Sequence, residues 1–139
     1  MRFIDANVFL YAFLEPRGEL TEDEMKLKQA SKSIVLRVEK GEKVITSVVQ
    51  ISEVSNVLEA RASNKVAREI IESILLNENI DIQEVNKGLY AASLELAKIH
   101  DIGINDCVAL AVMQTNSIKE IYSFDTDFDK IEGIKRIEK

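Results

Sequence analysis

The sequence has one cysteine, one histidine, one proline and five glycines in 139 residues, and these shortages decide much of what it can do. With Cys107 alone, no disulfide can close within the chain. The thiol lies inside an apolar run and reads as buried and inert, which suits a reducing cytoplasm. His100 is alone too and falls near the end of a helical pattern, where a cation is favoured, so it reads as structural. A ribonuclease built on a histidine pair, a Ser-His-Asp triad and a zinc site of His and Cys ligands all lack their parts. The glycines form neither GxGxxG nor GxxxxGK[ST], so dinucleotide and P-loop nucleotide binding have no support. No apolar stretch approaches the ~20 residues of a membrane helix. Asp5 and Asn7 interrupt the start too early for a signal peptide. Positive charge is short as well: 18 Lys and Arg stand against 24 Asp and Glu, a net charge of −6. That argues against a surface coated for nonspecific nucleic-acid binding, but leaves room for a local basic patch.

What is present is an ordinary globular composition, 46% hydrophobic, in a length that fits a single domain over residues 1–139. Repeats, low-complexity segments and linkers are absent. Arg2–Asp5, Lys43–Thr46, Ile80–Ile82, Glu120–Ser123 and Ile134–Ile137 read as short strands. An apolar segment runs from Val8 to Leu14 until Glu15-Pro16-Arg17-Gly18 breaks it. Thr21 with Glu24 forms a capping box for a helix that Gly41 ends. Ser47 with Gln50 opens the helix carrying Glu53, Asn64 is placed to cap the next, and Asn86 a further one ending near Gly103. A short helix then has Asp106 in its first turn, with Asn105 as a candidate cap or supporting hydrogen bonder. It continues through an apolar run to Met113, the pattern of a fully buried helix. Strands alternating with helices imply a three-layer α/β/α sandwich with a mostly parallel sheet. Ligands of such sheets sit beyond the carboxyl ends of the strands.

Four acids meet that rim: Asp5 and Asp125 at strand ends, Glu53 and Asp106 near helix starts. Each has a structural explanation by itself. Asp5 could cap the segment after it, Glu53 could be a solvated helix residue, Asp106 could satisfy first-turn amides, and Asp125, Asp127 and Asp129 could form a solvated turn. Together they would repel one another unless a cation neutralised them. A carboxylate set selects a hard ion with oxygen ligands, Mg²⁺ or Mn²⁺. Asp125 to Asp129 starts like a calcium loop but departs from it, with Lys130 at the glycine position and Arg136 where the closing Glu belongs. Arg61, Lys65 and Arg68 recur at helical spacing, as candidate RNA phosphate contacts or as a solvated basic face.

The segments Phe3-Ile4-Asp5-Ala6-Asn7-Val8-Phe9-Leu10-Tyr11, Ile51-Ser52-Glu53-Val54, Ile104-Asn105-Asp106-Cys107-Val108-Ala109-Leu110-Ala111 and Ser123-Phe124-Asp125-Thr126-Asp127-Phe128 resemble, in order and spacing, a PIN-domain protein of the VapC type. The resemblance covers essentially the whole chain. It implies a metal-dependent endoribonuclease in which Asp5, Glu53, Asp106 and Asp125 hold Mg²⁺ or Mn²⁺. Asn7, Ser123 and Asp127 would support the pocket, with Asp125 preferred to Asp127 as the fourth acid. It also implies an RNA substrate, a small antitoxin partner and a homodimer. Ala6 departs from the Thr or Ser common at that position in the family. Two rival readings remain: a Mg²⁺-dependent phosphatase of the haloacid dehalogenase type with Asp5 as nucleophile, and a non-catalytic module that binds RNA or protein.

Overall fold

The computed structural model describes residues 1–139. In chain order the elements are β1 (Arg2–Ile4), α1 (Ala6–Phe13), α2 (Glu22–Glu39), β2 (Val44–Ser47), α3 (Val48–Arg61), α4 (Asn64–Leu76), β3 (Ile80–Gln83), α5 (Lys87–His100), α6 (Ile104–Thr115), β4 (Glu120–Tyr122), a 3-10 turn (Thr126–Lys130) and β5 (Lys135–Ile137). All five strands join one sheet in the order β3-β2-β1-β4-β5, and every pairing is parallel.

The three central strands β1, β2 and β4 are short but place buried apolar residues on both faces, as a sheet covered on both sides requires, while the edge strands β3 and β5 are partly polar. Alternation splits the core into two halves. Phe3, Ile45 and Ile121 point to one face, where they pack with α6 and with Leu89, Leu96 and Ala97 of α5. Ile4, Val44 and Tyr122 point to the other, against residues of α1, α2, α3 and α4. The expected burial of α6 holds on every side: Cys107 through Met113 are all buried. Desolvation and the Asp106 charge push the Cys107 thiol upward in pKa, which keeps it protonated and inert.

The helix ends explain several differences from the sequence reading. Thr21 and Asn86 cap as expected, accepting from the amides of Glu24 and Leu89, and Gly41 takes φ +122° after α2. Ser63, not Asn64, caps α4 through a 3.0 Å bond from the Val66 amide. α5 stops at His100 because Asp101 turns left-handed, φ 54°. Gly103 holds the cap position of α6 without a side-chain bond, so Asn105 lies inside the helix and does not cap it. The segments Val8–Leu14 and Ala67–Leu76 are core only in part. Val8, Phe9, Ala67 and Ile74 are buried, whereas Tyr11, Leu75 and Leu76 are exposed.

The chain builds one half of the sheet outward from β1 through β2 to β3, then crosses to β4 and β5 on the other side. The loops leaving β1 and β4 therefore part at a topological switch point, where open parallel sheets form their binding crevice. Asp5 follows β1 and Asp125 follows β4 at that point.

Candidate metal centre

Asp5 caps the segment after it, as one of its two readings expects, and stays within the rim. One carboxylate oxygen accepts the Ala6 amide at 2.8 Å, capping α1. The other accepts the Ser123 hydroxyl at 2.7 Å. The residue is 5% exposed. Burial raises its pKa to about 6 against the pull of the Ser123 and Ala6 hydrogen bonds, with the charges of Glu53 and Asp125 adding to the rise.

Ser123 is the hub that joins β4 to β1. Buried at the strand end, it donates to Asp5 and accepts from the Asn7 amide at 3.3 Å and the Asp125 backbone amide at 3.0 Å. Asn7 in turn accepts from the Phe124 amide at 3.4 Å. Together the two residues tie the start of α1 to the loop after β4 that carries Asp125.

Asp125 caps the 3-10 turn, accepting the Asp127 amide at 2.9 Å. The carboxylates of Asp106, Asp125 and Asp127 each offer an oxygen within 4.8 Å of the others. Both candidates for the fourth position thus face Asp106, and Asp127 also pairs with Lys130 at 3.1 Å. Asp129 is drawn away, held by Arg136 through two 3.0 Å bonds. Arg136, read against a calcium loop, is instead the brace that ties this turn to β5.

Asp106 projects from the first turn of α6. Burial, then the charges of Asp5, Asp125 and Asp127, raise its pKa to about 7. Glu53 on α3 is raised by burial and by Asp106. None of Asp5, Glu53, Asp106 and Asp125 forms an ion pair. Four clustered carboxylates without a basic partner, with Asp106 and Asp125 in coordinating reach of each other and of the Lys130-paired Asp127, fit a hard divalent cation and no other common cofactor.

The contact that sets Glu53 opposite Asp106 was missed in the sequence, where Gln50 reads only as the partner of Ser47 in a capping box. Gln50 is buried, and its amide donates to the Asn105 carbonyl at 3.2 Å while its oxygen accepts the Ser47 hydroxyl. It bolts α3 to the start of α6 instead of returning to the Ser47 backbone as a capping box would. A glutamine three residues after the cap was the available signal, and its partner 55 residues on was not.

The basic set is divided. Arg61 ends α3, while Lys65 and Arg68 stand on α4 beyond the break at Ala62 and Ser63, so the three do not share one helix face. All are exposed. Arg61 alone lines the groove that reaches Asn7.

The PIN domain profile matches residues 2–134. No curated protein sequence matches the chain. Among solved structures, VapC20 of Mycobacterium tuberculosis, described as a sarcin-ricin loop cleaving toxin, is similar with a TM-score of 0.74 and 21% identity over 93% of each chain. VapBC2 of Rickettsia felis, bound to a DNA fragment from its promoter, gives 0.67 and 11%, covering 98% of this chain and 96% of that one. A toxin–antitoxin complex from Klebsiella pneumoniae gives 0.65 and 16%, covering 96% and 95%. At these identities the likeness shows a shared fold. A family match along nearly the whole sequence, on a five-stranded parallel sheet with acids at its carboxyl rim, makes this chain a member of the PIN domain family.

Proposed function

We propose that the chain is a metal-dependent endoribonuclease and the toxin of a toxin–antitoxin pair. The observation that carries this reading is the rim itself: Asp5, Glu53, Asp106 and Asp125 gather at the carboxyl ends of the strands, none is paired with a cation, and burial and neighbouring carboxylates raise the pKa of Asp5, Glu53 and Asp106. Family membership and the toxins among the structural neighbours supply the substrate class and the partner. The haloacid dehalogenase reading is not favoured, because the PIN profile spans the chain and Asn7 serves Ser123 and Phe124.

Asp106, Asp125 and Asp127 would hold one Mg²⁺ or Mn²⁺ together with Asp5, and Glu53 would hold a second ion if two bind. Bound there, a divalent ion supplies a more acidic water for attack on phosphorus and positive charge for the phosphodiester oxygens. The residues of the chain do the rest. Ser123 and the Ala6 amide fix the Asp5 carboxylate in one orientation. Gln50 fixes the Glu53 helix against Asp106. The Asp125 cap aims the 3-10 turn so that Asp127 faces inward. Arg61 is the best placed of the basic residues to meet RNA phosphate, with Lys65 and Arg68 farther along α4.

A groove of about 390 Å³ opens beside Asn7, walled by Leu10, Tyr11, Leu14, Leu20 and Val57. It offers an apolar seat from which an antitoxin segment would cover the acids. A cytoplasmic homodimer is the state in which this reading places the toxin; no helix is long and apolar enough to cross a membrane.

The test is cleavage of a panel of RNAs by the purified chain. The reading requires EDTA-sensitive cleavage restored by Mg²⁺ or Mn²⁺, leaving 5′-phosphate and 3′-hydroxyl ends. Cleavage that survives EDTA, or survives in both Asp5→Asn and Asp106→Asn, rejects it. A non-catalytic module would bind RNA without cutting it under any metal.

A further inference from the structure

Tyr90 stands at the edge of the acid rim with no structural task that accounts for its ring. It is 42% exposed on the first turn of α5 and lies outside both core clusters. The other two tyrosines are engaged: Tyr122 is buried under two arginines and Tyr11 packs edge-on against Phe124. Tyr90 has neither partner. Its hydroxyl donates to the side-chain oxygen of Asn105 at 3.2 Å, the residue next to Asp106. That bond fixes the ring on one side of the metal centre.

Two adjoining concavities of about 420 and 430 Å³ meet at Tyr90 and Glu53. Asn105 lines both, and Ser52 and Asn56 line the second. Neither holds a lysine or arginine. The ions that Asp106 and Glu53 would hold meet the scissile phosphate; away from them Val49, Ser52, Asn56, Val57 and Tyr90 offer an uncharged surface that suits no second phosphate. A nucleobase is neutral, flat and rich in hydrogen-bonding groups. An exposed ring stacks on it, and amide and carboxylate oxygens accept from its exocyclic amino group.

We infer that Tyr90, with Asn56 and Asn105, forms a subsite in which one unpaired base of single-stranded RNA stacks beside the scissile phosphate. The inference takes its substrate class from the ribonuclease reading above and adds the residue that grips the base. Uracil, which lacks an exocyclic amino group, is the base that the subsite holds least well.

The experiment uses the full chain carrying Asp5→Asn, so that RNA is not consumed, with fluorescein-labelled oligoadenylate and oligouridylate in Mg²⁺ at fixed salt. Anisotropy gives the affinity. Tyr90→Ala should weaken oligoadenylate binding by roughly 5- to 150-fold, the range of one lost base stack. Tyr90→Phe and Tyr90→Trp should restore most of it, and Ile99→Ser, an exposed change farther along α5, should leave it unaltered. Equal affinity of Tyr90→Ala and its parent overturns the assignment, whatever happens to the oligomeric state. So does a loss that neither Phe nor Trp repairs. Loss with rescue, where the chain with Asp5 intact cleaves no RNA under any metal, upholds the subsite and removes the ribonuclease reading. Metal-dependent cleavage with no effect at Tyr90 does the reverse.

Discussion

At the edge of the sheet where the strands begin, acids and cations are matched; at the rim where they end, Asp5, Glu53, Asp106 and Asp125 stand together with no cation paired to any of them. Arg2 donates to Glu120 at 2.7 Å and to Glu42 at 2.9 Å. Arg2 and Arg37 both lie over the Tyr122 ring, 5.1 and 5.5 Å from its centre, and the Tyr122 hydroxyl donates to Glu42 at 2.8 Å. There the hydrogen bond from Arg2 holds the Glu120 carboxyl below its usual range. At the other end Asp5 and Asp106 are pushed up to about 6 and about 7. The same residue types thus close one end as a structural clasp and leave the other under mutual repulsion. A fold gains no stability from gathering unpaired acids, so the rim is explained by what it binds.

Breaking the rim should have the largest effect. Asp106→Asn or Asp5→Asn should lower RNA cleavage by at least about 10²-fold, because the ion then loses a ligand whose electrostatic share is worth several kcal/mol. Melting temperature should hold or rise, since a repelling charge has gone. Circular dichroism melts alongside the cleavage assay check both halves.

Filling the rim should stabilise it. Mn²⁺ at 100 times its dissociation constant should add about 2.7 kcal/mol, or roughly 5–10 °C in melting temperature for a chain of this size. Asp106→Asn should lose most of that gain in a thermal shift series.

Acidity should reverse the usual trend. The folded chain binds protons at Asp5 and Asp106 more tightly than the unfolded chain, whose aspartates keep the ordinary value of 3.8. Their contribution to stability is complete below about pH 4 and is lost as pH rises through about 6 and about 7. In EDTA the stability of the native chain should fall across that window by an amount on the order of a few kcal/mol. Buried Asp5 supplies most of it, and solvent screens the half-buried Asp106. Urea melts against pH should show a flatter profile for Asp5→Asn.

Breaking the clasp should have the smallest effect and a different character. Tyr122→Phe removes a buried hydroxyl from Glu42 and should cost about 1–1.5 kcal/mol with cleavage per folded molecule unchanged. A parallel loss of cleavage would mean that the two ends are coupled.

Much of this contrast was legible in the sequence, though unevenly. Strand ends and helix starts are local signals, so Asp5, Glu53, Asp106 and Asp125 could be assigned to one rim from the alternation of elements alone. Burial of α6 was legible because seven residues from Cys107 to Met113 offer no polar side. The clasp was not, because Arg2, Glu42 and Glu120 meet only after β1, β2 and β4 align, 40 and 118 residues apart. The position of Asp127 depends on how the Asp125 cap turns the backbone. Arg61, Lys65 and Arg68 looked continuous by spacing alone, although a cap at Asn64 already implied a helix start between Arg61 and Lys65; the break falls at Ala62, and Ser63 caps α4. Tyr90 reaches the rim through its bond to Asn105, set by the packing of α5 on α6.

The central claim is that the unpaired acids exist to hold a divalent ion, and calorimetric titration with Mn²⁺ tests it most directly. Titrations near pH 6 in two buffers of different ionisation enthalpy count the protons released. The account predicts saturable binding that expels protons near pH 6, expels fewer near pH 8, and is lost in Asp106→Asn. Absence of binding, or equal binding by Asp106→Asn with no proton release at either pH, would contradict it.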